Sequence, residues 1–109
     1  MDRTIIKDVM KKIERLIVDK RFDLLYEGDY AREMPADVMQ QVVEEYGNNF
    51  TMPPDEAFDR MSIVDISEEE ASVYCYLWYD NERSDLTAIA RVKNIGGEVR
   101  YAIEDIHIL

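Results

Sequence analysis

The spacing of apolar residues changes once along this chain. Up to about residue 46 they recur every three or four positions, as on one face of a helix. From about residue 62 they alternate, as in strands. Ile5, Ile6, Val9, Met10, Ile13, Leu16 and Ile17 predict an amphipathic helix over residues 3–19. Lys7, Lys11, Lys12, Glu14 and Arg15 fall mostly on its polar side, and Asp2 is placed to cap its start. Arg21 to Tyr26 predicts a second helix that stops at Gly28 and is too short to stand without neighbours. A third starts at Pro35 and runs to Tyr46, with Val38, Met39, Val42, Val43 and Tyr46 on its apolar face and Gly47 just past its end. Pro53-Pro54 breaks the pattern, and Asp55 to Phe58 fits one helical turn anchored by Phe58.

Four strands follow, at about Ser62 to Ile66, Ser72 to Tyr79, Asp85 to Lys93 and Glu98 to the end. The acidic run Ser67 to Glu70, the polar loop Asp80 to Ser84 and the turn Gly96-Gly97 separate them. Leu86, Ala88, Ala90 and Val92 share one face of the third strand, opposite Thr87, Arg91 and Lys93. In the second strand both faces are hydrophobic: Val73, Cys75, Leu77 and Tyr79 on one, Tyr74, Tyr76 and Trp78 on the other. Such a strand is either covered on both sides or shows an aromatic strip to a partner or ligand. In the last strand the apolar character changes face near Glu104. Either a β-bulge shifts the register there, or Asp105 and His107 turn toward the inner side with Tyr101.

Helices first and strands after define an α+β chain: about three N-terminal helices, then a four-stranded antiparallel sheet. A length of 109 residues fits one domain. If the sheet curls around the first helix, the shape resembles cystatin-like or cone-shaped nuclear-transport-factor-like folds, an analogy that carries no function.

Charge narrows the partners. Twenty-four acidic residues against 13 Lys and Arg leave a net charge of −11. That argues against nucleic acid and against an anionic membrane surface, and favours a basic protein partner. The single cysteine, Cys75, lies inside the apolar strand and reads as a core residue. No signal-peptide pattern and no membrane-length apolar run appear, which makes the cytoplasm the expected compartment.

Catalytic signatures are sparse. No nucleophile elbow, phosphate loop or dinucleotide fingerprint occurs, and a non-enzymatic domain without a cofactor is expected. One histidine and one cysteine cannot build an ordinary zinc site. Asp80, Glu82 and Asp85 lie close enough in sequence to hold a loose calcium, but turn chemistry explains them equally well. If the last strand turned inward, Asp105 and His107 would form a buried polar pair, lining a pocket with Tyr101 and Tyr76. Arg83 reads as a binding contact or as a local salt bridge to Asp80 or Asp85.

Three segments together, Pro53-Pro54-Asp55-Glu56-Ala57-Phe58, Arg83-Ser84-Asp85-Leu86-Thr87 and Glu104-Asp105-Ile106-His107-Ile108-Leu109, resemble a family of small uncharacterised bacterial domains. The resemblance spans most of the chain, including its helical start. It implies a stand-alone bacterial domain and raises Arg83, Asp85, Asp105 and His107 as candidates, without supplying catalytic residues. The leading expectation is an acidic interaction domain of immunity or antitoxin type, masking a basic partner through Tyr74, Tyr76 and Trp78. A small-molecule pocket and a homodimer built on the aromatic strip are the alternatives.

Overall fold

A computed structural model describes every residue from Met1 to Leu109. The first helix, α1 (Arg3–Val18), is capped by Asp2, whose carboxylate accepts from the Thr4 backbone N–H at 2.7 Å. Ile6, Met10, Ile13 and Ile17 form its buried stripe. Glu14 belongs to that stripe as well and is fully buried, which corrects its assignment to the polar face. Position 14 follows Met10 by four and precedes Ile17 by three, so it sits at the centre of the apolar arc.

Two more helices follow, α2 (Phe22–Glu27) and α3 (Ala36–Tyr46). Each ends on a glycine pressed against a tyrosine ring. A Cβ at Gly28 would lie 2.6 Å from the Tyr101 hydroxyl, and one at Gly47 would lie 2.7 Å from the Tyr79 ring. The same tyrosines bind the helices: Tyr101 donates to the Leu25 carbonyl at 2.7 Å and Tyr79 to the Val43 carbonyl at 2.6 Å. Burial pushes the Tyr101 phenol up to about 12.

The chain then makes the two-residue strand β1 (Phe50–Thr51) and the short helix α4 (Asp55–Asp59), anchored by buried Phe58. The long strands are β2 (Ser62–Ser67), β3 (Glu70–Tyr79), β4 (Glu82–Ile95) and β5 (Glu98–Ile108). They form an antiparallel meander that curls around the helices, with β1 as an added fifth strand. Two tight hairpins connect β3 to β4 and β4 to β5. Asp80 and Asn81 take positive φ in the first, as do Gly96 and Gly97 in the second.

The inner face carries the core. Val73, Cys75 and Leu77 of β3 meet Leu86, Ala88, Ala90 and Val92 of β4 under the helices, and all are buried. The helices cover this face, so the aromatic residues Tyr74, Tyr76 and Trp78 lie on the other side of the sheet.

The register question in β5 is settled by a bulge. Pairing shifts between Ile89 and Ala90, so Asp105 opposes Ile89 while Ile103 opposes Ala90, leaving Glu104 as the extra residue. Glu104 pairs with Arg91, and Asp105 and His107 also face outward. No helix is long and apolar enough to cross a membrane.

Candidate functional site

Both β1 and β2 pair with the same edge of β3, at different heights. Phe50 and Thr51 oppose Tyr79 and Trp78, while Ser62 opposes Tyr74. Between them, Cys75 to Leu77 have no strand alongside on that edge. The connecting segment of Pro54, Ala57, Arg60 and Met61 flanks this break. Together with the outward aromatic residues it forms an open groove of ≈ 910 Å³, which Arg83 and Thr87 also line.

Tyr74 and Trp78 are half-buried in the groove, whereas Tyr76 is 48% exposed. The Arg83 guanidinium lies over the Tyr76 ring, 4.9 Å from its centre. It makes no salt bridge to Asp80 or Asp85, which corrects that reading. Those acids are engaged elsewhere: Asp80 accepts from the Asn49 amide at 2.9 Å, and Asp85 accepts from the Tyr46 hydroxyl. Asp85 therefore ties β4 to the end of α3 and does not line the groove. Asp80, Glu82 and Asp85 do not converge, and no cluster of metal-ligating side chains forms.

His107 and Asp105 do meet, with Nδ1 to Oδ2 at 2.7 Å, but at the surface. Their side chains are 42% and 53% exposed. The bulge at Glu104 carries the pair to the outer face, so the buried acid–base pair expected from an inward strand does not exist. His107 sits opposite Thr87, which in turn opposes Tyr76, placing it two strands from the aromatic floor of β3. Tyr101 is separated from this group altogether: it is buried on the inner face and bonded to α2. The expected pocket of Asp105, His107, Tyr101 and Tyr76 is thus split between two sides of the sheet.

Two buried acids were missed by the sequence reading. Asp29 accepts three backbone N–H groups, from Ala31 and Arg32 on one oxygen at 2.9 and 2.8 Å and from Ile103 on the other at 2.8 Å. It pins the segment after α2 beside β5, where the Tyr30 N–H also donates to the Tyr101 carbonyl. The pattern Gly-Asp after a short helix was a turn signal that could have drawn attention to it.

The other is Glu14, whose Oε1 accepts from Cys75 Sγ at 3.5 Å while Oε2 has no partner. Burial pushes its carboxyl up to about 8, so it is protonated at neutral pH. Burial also raises the Cys75 thiol well above its usual range, with the neighbouring Glu14 adding to the effect. Cys75 is a free, buried core thiol.

The family model described as "Domain of unknown function (DUF7668)" matches residues 15–109. The chain belongs to this family. The match begins inside α1, so most of the first helix precedes it, and it takes in the whole sheet and groove. Neither curated proteins nor solved structures yielded a match.

Proposed function

We propose that this member of the family is a non-enzymatic protein-interaction domain whose recognition surface is the outer groove. The observation that carries the reading is an aromatic face that is only partly covered. Tyr74, Tyr76 and Trp78 occupy alternate positions of one strand; Tyr74 and Trp78 are half-buried and Tyr76 is exposed. Tyrosine and tryptophan supply large, rigid contact area and dominate interface hot spots. A partner segment laid in the groove would bury them. The net charge of −11 supports a partner with a basic surface around that segment, as in an immunity- or antitoxin-like domain that masks its target.

The test is capture from a lysate of the source organism at low salt, using wild type and a Tyr76→Ser/Trp78→Ser variant. The expected result is one basic protein retained by wild type, released as salt rises, and lost from the variant although it unfolds at an unchanged temperature. Reconstitution with that purified protein must reproduce the loss. Retention indifferent to both side chains refutes the groove, and salt-insensitive binding refutes the electrostatic part.

A homodimer is the second reading, favoured by Val64 and Ile66 on β2, which are 53% and 54% exposed. Val64 opposes Ser72 and so extends the outer aromatic face toward the sheet edge. Light scattering that gives a monomer mass throughout the micromolar range excludes it.

A further inference from the structure

In this acidic chain the groove is lined by more basic than acidic side chains. Arg60 and Arg83 line it with one acidic side chain, Glu56, and with the last residue, Leu109. Neither guanidinium takes part in any ion pair, all of which lie elsewhere. Neither donates a side-chain hydrogen bond, although Arg83 is held over the Tyr76 ring. Lys12, Arg15, Lys20, Arg32 and Arg100 also make no ion pair, but Arg60 and Arg83 stand beside the same aromatic floor, and that placement defines a local preference.

From this we infer the chemistry of the segment that enters the groove: an apolar or aromatic side chain beside a carboxylate. The inference rests on the groove being the recognition surface. The apolar side chain lies on Tyr74, Tyr76 and Trp78, while the carboxylate meets Arg83 and Arg60. A guanidinium offers a planar fork of donors that fits a carboxylate with two parallel bonds. Arg83 lies over Tyr76 and donates no side-chain hydrogen bond, so its fork is available for that purpose. A lysine at the same place in the partner would face two like charges and leave the arginines unmet. Long-range steering and local anchoring then use opposite signs: the acidic chain attracts a basic surface, and the groove selects an acidic anchor within it.

Three capped peptides that differ at one position test this: acetyl-Gly-Phe-Glu-Gly-amide and its Gln and Lys counterparts. Each is titrated into the nitrogen-15-labelled full chain and followed by NMR. Shifts are expected at the Tyr76 amide and the Trp78 indole. The Glu peptide should bind about two- to fivefold more tightly than the Gln peptide, the range of an exposed ion pair, with the Lys peptide weakest. In an Arg60→Gln/Arg83→Gln variant, whose folding is checked by its amide spectrum, the Glu and Gln peptides should bind alike. Equal binding to wild type, a Lys peptide that binds best, or a Glu advantage that survives in the variant overturns the inference. If the charge order is absent while partner capture still needs Tyr76 and Trp78, the anchor chemistry alone is wrong. If no peptide moves an outer-face resonance, the anchor inference fails, and capture indifferent to Tyr76 and Trp78 would then remove the groove reading as well.

Discussion

Glu14 makes folding stability depend on pH in a direction opposite to that of an ordinary paired carboxylate. Its carboxyl titrates near 8 in the folded protein, against an ordinary value of 4.5. The cause is burial without compensation: the side chain is fully enclosed, with Oε2 unpartnered and a weak thiol donor on Oε1. The folded state therefore keeps a proton that the unfolded chain releases above about pH 4.5. Stability from this group is fully present below that pH and is lost progressively as pH rises to about 8. One pH unit within the window corresponds to about 1.4 kcal/mol, so raising the pH from 5 to 8 should cost on the order of 4 kcal/mol. The assay is urea unfolding of wild type and Glu14→Gln at each pH unit from 5 to 9. The Gln variant has no proton to lose, so the difference between the two curves should swing steadily in its favour as pH rises. The buried amide brings its own unsatisfied donors, which add a pH-independent offset of about 1–3 kcal/mol to the swing. Glu14→Met removes the polar atoms and should exceed wild-type stability at pH 8. Parallel pH profiles for wild type and Glu14→Gln would refute the claim that Glu14 is buried without a compensating partner.

Three further outcomes can be checked by denaturant unfolding. Asp29→Ala strips three backbone N–H groups of their acceptor, that of Ile103 buried and those of Ala31 and Arg32 partly buried, and should cost about 1–3 kcal/mol; a loss below about 0.5 kcal/mol contradicts the assigned role. Gly28→Ala drives a methyl against the Tyr101 hydroxyl and should cost about 1–3 kcal/mol, with much of the loss recovered in a Tyr101→Phe background, where that oxygen is gone. Leu77→Ala on the inner face of β3 should cost about 2–5 kcal/mol, whereas Tyr76→Ala, one position away on the outer face, should stay within about 1 kcal/mol of wild type; equal losses would mean that both faces are core.

Much of the architecture was legible because it rests on periodicity. The stripe of α1 and the alternation in β3 and β4 each encode a face, and a face implies something to cover it. What periodicity cannot encode is which of two apolar faces receives the helices. Val73, Cys75 and Leu77 differ little in hydrophobicity from Tyr74, Tyr76 and Trp78, and three-dimensional packing made the choice. The β5 bulge was legible as an alternative, since the apolar pattern slips at Glu104, but deciding it required the partner strand. Glu14 was misplaced by residue type: a glutamate on a helix is ordinarily solvated, although its position between Met10 and Ile17 spoke for burial. The groove itself had no pattern to reveal it, because it depends on a two-residue strand too short to be read and on a helix of one turn.

That short connection explains why the aromatic strip ends up beside a groove and not on a flat sheet. Pro53 and Pro54 have no N–H to donate to β3, and the pairing begun at Phe50 and Thr51 stops before them. The chain detours through α4, fixed to the core by Phe58, and returns to the edge of β3 at Ser62, facing Tyr74. The detour leaves Cys75 to Leu77 without a neighbouring strand and raises Ala57, Arg60 and Met61 as a wall at the break. Phe58 contributes to stability on the inner side, while the residues on either side of it shape a surface on the outer side. The same strand, β3, is divided in the same way: its odd-numbered residues from Val73 to Tyr79 are buried in the core, and its even-numbered ones from Tyr74 to Trp78 lie on the outer face. Because the two sets sit on opposite faces, the outer set can change with a partner without disturbing the core. For the interaction domain we propose, that separation is the physical argument for placing recognition on this face.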